Sequence, residues 1–439
     1  MDPVLLSRIQ FAFTIGFHFL FVPLSLGLSL AIVAAERRYR RSGSPSDRAA
    51  SDFWIRLFTS TFAIGVATGI TMEFSFGTNW AGYSRFVGDV FGAPLAAEAL
   101  FSFFLESTFL GVLLFGRGRV SGRFYYAATW LVALGAHLSA LWIVIANSWQ
   151  QTPAGYEVVG GRAVLTDFFA AMMNPSTLPR FSHAVVATWV AGAFFVAGVC
   201  AYYLRRGRHR EFALAALKPA LAFALVASLA MPVIGHWHAG QVWKTQPAKL
   251  AAFEGRYESG PNAGMSLFGW VDEDRKRLRF ALVAPDVLSF ALGGSADTVV
   301  AGLDSFPAAD RPPVQFTFQT YHLMVALGLY FIAVAALGLY LALRGRLERQ
   351  PFFLRVLAWS IPLPLLANEV GWAAAEVGRQ PWIVYGELRT SDAVSVVVPA
   401  SHIALSLGLF AAVYALLFAA WLRVVVGIIR RGPAVVEEA

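Results

Sequence analysis

Apolar residues run in stretches of membrane length along almost the whole chain, and polar residues gather in the gaps between them. Stretches long enough to cross about 30 Å of hydrocarbon lie near 11–35, 53–76, 92–115, 124–147, 182–204, 212–235, 317–343, 352–374 and 396–422. They predict nine transmembrane helices, an all-α polytopic membrane protein built as a single domain over 1–439. Arginine clusters with Gly or Pro mark the helix ends, as in ERRYRR at 36–41, GRGR at 116–119 and YLRRGRHR at 203–210. One gap is unlike the others. It runs over 236–316, carries mixed charge (DEDRKRLR at 272–279) and has prolines at 247, 261, 285, 307, 312 and 313. A connection this long in a compact membrane protein is expected to be functional or disordered.

Composition agrees: 57% hydrophobic and 14% charged residues exclude a soluble globular domain. A net charge of +8 would point to nucleic acid in a soluble protein. Here the arginines instead fill every second loop: five in 36–52, three in 117–123, four in 205–210, four in 344–355 and three in 423–431. The alternate short loops hold only Arg85, then Arg162 and Arg180, then Arg379 and Arg389. The positive-inside rule then sets the N-terminus outside and the C-terminus in the cytoplasm, as nine crossings require. The opening MDPVLLSRIQ lacks a secretory n-region and cleavage site, so the first apolar segment is expected to stay in the mature protein. A single cysteine, Cys200, excludes an intrachain disulfide and a cysteine-cage metal site.

The chemistry must come from polar residues inside the membrane. Pro94 to Phe115 carries Glu98 and Glu106; eight residues on a helix are about 12 Å of rise and about 80° of rotation, hence different depths on neighbouring faces. An acid near the bilayer centre costs about 2.5–3.5 kcal/mol, so two on one helix call for a task such as proton conduction, or for partners on other helices. The predicted orientation sets Glu98 nearer the outside and Glu106 deeper. His18, His183, His322 and Met324 come at outer depths, Glu369 at mid-depth and Glu376 at an outer helix end. An imidazole with a thioether, His183 with Met324, makes the usual axial pair of a low-spin haem, and His18 or Glu376 can each be the single ligand of a five-coordinate one. The plain alternative for each is a hydrogen bond or a filled gap. His137 and His402 are also intramembrane, His236 and His238 are expected to open the long loop, and His209 sits in an arginine cluster. No histidine pattern of a copper site is present, so no copper is expected. Glu73, Glu98, Glu106 and Glu369 would also suit a proton-coupled transporter, whose inverted repeat the sequence does not show.

Several stretches carry a specific likeness: LSRIQFAFTIGFHFLFVPLSLG at 6–27, GVATGITMEFSFGTNW at 65–80, GAPLAAEALFSFFLESTF at 92–109, LSALWIVIANSW at 138–149, QPAKLAAFE at 246–254 and AEVGRQPW at 375–382. With these the chain resembles subunit I of the cytochrome bd-type quinol oxidases of bacteria. The resemblance implies a multi-pass subunit of the bacterial cytoplasmic membrane that oxidises quinol on the outer side. Oxygen is reduced to water with cytoplasmic protons, which makes proton motive force without pumping.

It implies three haems: a low-spin b haem on His183 and Met324, a high-spin b haem, and a d-type chlorin for which a third b haem is the alternative. His18 and Glu376 are similar to the ligands of the two high-spin haems, in an order left open. Glu98, Glu106, Ser107 and Ser139 resemble the proton route, and Arg379 a positive charge beside the haems. Lys249 and Glu254 resemble the quinol-binding residues of the extracytoplasmic loop. A second membrane subunit (subunit II) is implied as partner, and a very small accessory subunit is allowed for. Two departures stand out. His322 occupies the place where members with a long quinol loop have an arginine two residues before the haem methionine, and the loop itself is short. Both resemble the short-loop, cyanide-insensitive branch.

Overall fold

The structure, a computed structural model, describes residues 2–434, so the ends of the expected domain, 1 and 435–439, lie outside the described residues. Nine helical stretches among the described residues are long and apolar enough to cross a membrane. The first is α1 (Pro3–Phe19) with α2 (Val22–Ser42), the second α3 (Pro45–Thr78). The third joins α4 (Ala81–Ala97) through a π-helical segment, Glu98–Phe103, to α5 (Phe104–Phe115), and the fourth is α6 (Gly122–Gln151). A hairpin of β1 (Tyr156–Val159) and β2 (Arg162–Leu165) and a short α7 (Phe168–Met172) lead to the fifth and sixth, α8 (Thr177–Arg206) and α9 (Arg210–Thr245). The long connection holds α10 (Pro247–Glu254), the antiparallel pair β3 (Met265–Asp272) and β4 (Arg277–Ala284), and α11 (Val287–Gly293). Then come α12 (Val314–Leu343), α13 (Pro351–Trp359) with α14 (Leu363–Val377), a small pair β5 (Trp382–Val384) and β6 (Leu388–Arg389), α15 (Thr390–Ala393) and α16 (Ala400–Arg431).

The nine-helix expectation holds, and the differences fall at prolines. Proline lacks an N–H and crowds the carbonyl four residues back, so a helix carrying one bends or breaks. The first span breaks at Leu20 and Phe21 before Pro23, the third changes to π pitch after Pro94, and the eighth breaks between Trp359 and Leu363, at Pro362. Hydropathy fades after residue 235, yet α9 continues to Thr245, because the stop is set by Pro247: Gln246, the residue before it, is driven to φ −139° and ψ 60°. His236 and His238 therefore lie inside a helix and do not open a loop. At 36 residues α9 is about 54 Å long, more than hydrocarbon thickness. The connection proper shrinks to 246–313 and is folded. Ser259 caps it internally by donating to Asp304 at 2.5 Å, and Arg389 ties it to the β6 turn through an ion pair with Asp310.

Two contacts fix the bundle. Helices α2 and α8 cross at Gly27 and Gly192, where a Cβ on Gly27 would stand 2.5 Å from the Gly192 Cα. At the end bearing the arginine-rich loops, the half-buried Arg117 guanidinium pins three helices. It lies 2.9 Å from Glu36 of α2 and 2.8 Å from Asp52 of α3, and stacks 4.3 Å from the Tyr125 ring of α6. Such pairing offsets the cost of taking charge out of water. Phe53 and Phe58 of α3 and Phe194 of α8 are buried in one core, where Phe53 meets Phe212 of α9 and Phe194 meets Phe331 of α12, while α16 turns Leu405, Leu409 and Leu416 outward.

Replacing Gly192 by Val should overpack the α2–α8 crossing and destabilise the fold by about 1–3 kcal/mol. A lowered thermal denaturation midpoint of the purified oxidase measures it; an unchanged midpoint would mean the crossing yields freely.

Candidate functional site

The two acids of the third span face one strip of α6. Ser139 donates to Glu98 Oε1 at 2.8 Å, and a Cβ at Gly135, one turn away, would stand 2.8 Å from Glu106 Cγ. The expected separation onto neighbouring faces is thereby corrected. The i→i+5 turns of Glu98–Phe103 take fewer degrees per residue than α turns, so the rotation between the acids shrinks. Ser102, fully buried between them with its hydroxyl unpartnered, belongs to the strip and was not singled out by sequence reasoning. Ser107 does not belong: it is exposed and its hydroxyl donates to the Phe103 carbonyl of its own helix at 2.7 Å. Among the described residues neither acid has a basic group within ion-pair distance.

His18 ends α1 beside α3. Its Nδ1 is 3.0 Å from the Thr68 hydroxyl, which itself donates to the Ile64 carbonyl at 2.8 Å. The hydroxyl proton being committed, Thr68 accepts from Nδ1–H and the Nε2 lone pair is left for a metal. The ring lies against Gly69, where a Cβ would come within 3.2 Å of Cε1. His183 of α8 has a buried Nδ1 without partner, next to Gly235 and with its ring centroid 5.6 Å from that of His238. Met324 lays its sulfur on α14 where only glycine fits, a Cβ at Gly371 being 2.5 Å from it. His137 is not free in the same way: its Nδ1 faces the Ala133 carbonyl at 2.7 Å and its Nε2 accepts from Trp189 at 2.9 Å.

Glu376 is the centre of a buried polar cluster. Oε2 is 2.6 Å from Arg379, while Oε1 is 3.1 Å from Arg180 and accepts from Asn147 and Gln151 at 3.1 Å each. Gln150 accepts from Arg379 at 2.8 Å and donates to Tyr83. Lys249, only 2% exposed, donates to Gln151, and burial, with Arg180 next in weight, holds its amine well below the ordinary lysine range. Two guanidiniums thus face one carboxylate, and two buried donors, Arg379 Nε and Thr317 Oγ1, have no partner. The net positive charge and unused donors suit anionic groups such as haem propionates. Asn147, Gln150, Gln151 and Arg180 escaped sequence reasoning. Their signal was the polar run NSWQQ at the end of an apolar helix and an arginine three residues before a histidine.

Lys249 and Glu254, the two residues expected to serve quinol, turn to different neighbours in the structure. Five residues along α10, they point to different faces, and Glu254 turns to β3. There its Oε2 accepts from the Ser266 N–H at 2.9 Å, its own carbonyl accepts from the Ser266 hydroxyl at 2.8 Å, and burial pushes the carboxyl up to about 7. His322 lies beyond Ser266, with Nε2 2.8 Å from the Ser266 carbonyl.

The family model described as cytochrome bd terminal oxidase subunit I matches residues 6–433. The chain is 38% identical over 442 residues to the cytochrome bd ubiquinol oxidase subunit 1 of Bacillus subtilis (strain 168), covering 98% of this chain and 94% of the relative. It is 35% identical over 505 residues to the cytochrome bd-II ubiquinol oxidase subunit 1 of Escherichia coli (strain K12), covering 100% and 98%. Among solved structures, the bd oxidase from Geobacillus thermodenitrificans superposes with a TM-score of 0.92 at 31% identity, over 98% of this chain and 99% of that one.

Replacing Thr68 by Val keeps shape and removes the hydroxyl that fixes the His18 tautomer. A haem iron held by His18 would then be retained about 10- to 100-fold less well, read by haem extraction during titration with a haem scavenger. Unchanged retention would count against His18 as a ligand.

Proposed function

The chain belongs to the cytochrome bd terminal oxidase subunit I family, and from that premise we propose how its own residues divide the work of a quinol:oxygen oxidoreductase. It is a multi-pass membrane subunit of a haem-containing terminal oxidase and works in a complex with other subunits. In our reading the partner is a second membrane subunit, subunit II, with room for a very small accessory one. His183 and Met324 hold a low-spin b haem. His18 and Glu376 hold the two high-spin haems, one of b type and the other a d-type chlorin or a third b haem. When bound, these groups carry electrons from quinol to oxygen.

The chain's residues supply binding, charge and protons. Arg180, Arg379 and Thr317 offer donors to carboxylates, and the polar end of α6 orients Glu376. Glu254, in the connection that we assign to quinol and to the outer side, accepts a proton as quinol is oxidised. Glu98, Ser139, Ser102 and Glu106 form a path for protons from the cytoplasm. Two quinols yield two quinones, four electrons and four protons, and one oxygen molecule takes four electrons and four protons to become two waters. With the first protons released outside and the second taken from inside, charge is separated across the membrane without a pump.

The observation that carries this division is the strip on α6, where the buried Glu106 carboxyl and the half-buried Glu98 carboxyl meet a serine and a glycine, with no basic group in ion-pair distance among the described residues. An acid kept in a membrane without a counter-charge is there to titrate. Glu106→Gln keeps the shape and removes the titratable proton. Quinol-driven oxygen consumption should fall about 10²-fold or more with the haem spectrum unchanged; retained consumption would refute the path.

A further inference from the structure

Ser266 of β3 uses both of its backbone groups away from its partner strand. Its N–H goes to the Glu254 carboxyl at 2.9 Å, and its carbonyl lies 2.8 Å from His322 Nε2. The other nitrogen of His322 is 2.9 Å from the Phe318 carbonyl, so the ring bridges α12 and β3, and in the Nε2–H tautomer its N–H goes to Ser266. The ring also stacks on Phe318 at 3.9 Å, which fixes its plane. Next to it, Tyr321 stacks on Phe253 at 4.5 Å, so α12 holds both the strand and the end of α10 that carries Glu254.

We propose that His322 is a positioning residue for Glu254: by holding the Ser266 carbonyl it aims the Ser266 N–H at the carboxylate that receives the quinol proton. The proposal rests on the assignment of Glu254 made above and deepens it. Farther along, β3 is tied to α12 where Gln319 donates to the Gly269 carbonyl at 2.9 Å and Gln315 accepts from the Val271 N–H at 2.8 Å, so His322 is the tie at the Glu254 end and its loss loosens that end alone. Three titratable or charged groups stand near Glu254, and a fourth, the His322 imidazole, reaches it through Ser266. Tyr321 faces it from α12, Lys249 on its own helix turns to Gln151, and Arg256 turns to the Gly260 carbonyl at 3.3 Å. Burial raises the carboxyl to about 7, and the Ser266 N–H opposes that rise. Losing the N–H must therefore move it higher.

The test uses the assembled oxidase. The Glu254 carboxyl is titrated by infrared difference spectroscopy against Glu254→Gln, and kcat/KM for quinol is followed over pH. In the unmodified enzyme both should change near pH 7, with kcat/KM falling as pH drops, since the acceptor is the carboxylate. His322→Phe keeps the stacked ring and removes the N–H that holds the Ser266 carbonyl. It should shift carboxyl titration and activity limb upward together by roughly one to two pH units, the strength of one hydrogen bond to a charged group, and the lost activity should recover as pH is raised. His322→Gln, which can still donate to Ser266, should return most of the shift. Ser266→Pro, which deletes the N–H itself, should reproduce it with His322 present. A carboxyl titration unmoved in His322→Phe and Ser266→Pro overturns the proposal, as does a uniform loss at every pH. A carboxyl that moves without the activity limb following leaves the clamp standing and removes Glu254 as the quinol's proton acceptor. Should His322→Phe fail to assemble, His322→Gln and Ser266→Pro decide on the same readouts.

Discussion

Charge inside hydrocarbon must be paired or put to use, and the arrangement around Glu376 shows how far that constraint reaches. One carboxylate lies within 2.6 Å of Arg379 and 3.1 Å of Arg180. To bring those guanidiniums there, α8 must start at the level where α14 ends, and α6 must end between them with Asn147, Gln150 and Gln151 turned inward. The connection 246–313 is drawn in as well, since Lys249 finds its acceptor on Gln151. Removing one member would leave an uncompensated buried charge, which costs more than the pair contributes.

A second theme is that helix distortions sit beside chemistry. The α1–α2 break follows His18 directly, the π segment begins at Glu98, and the α13–α14 break precedes Glu369 and Glu376. The first lies just before Pro23, the second follows Pro94 and the third contains Pro362, prolines that the surrounding helices tolerate. The π segment has the clearest consequence, because it brings two acids eight residues apart onto the same strip of α6. A straight α-helix would have turned one of them aside.

The nine spans were legible because lipid imposes a long apolar run on every helix, and the motifs around His18, Glu98 and Arg379 carried the family. What stayed hidden depends on local pitch and on partners distant in sequence. Periodicity could not reveal the π turn that joins Glu98 with Glu106. Hydropathy could not follow α9 beyond residue 235, since its stop depends on Pro247 rather than on apolar content. The separation of Lys249 from Glu254 follows from ordinary helix geometry on α10, and spacing could have shown it. The partners of Glu376 come from α6, from α8 and from the turn after its own helix, and nothing in the spacing of Asn147, Gln151 or Arg180 announces that they meet.

The proposed division of work depends above all on His183 of α8 and Met324 of α12 being the two ligands of one low-spin haem. The measurement is the reduced-minus-oxidised visible spectrum of the purified oxidase complex, compared between the unmodified chain and Met324→Leu, in which only the thioether is lost. The low-spin b signal should lose its six-coordinate character while the high-spin signals remain. A low-spin signal that survives intact in Met324→Leu would contradict it.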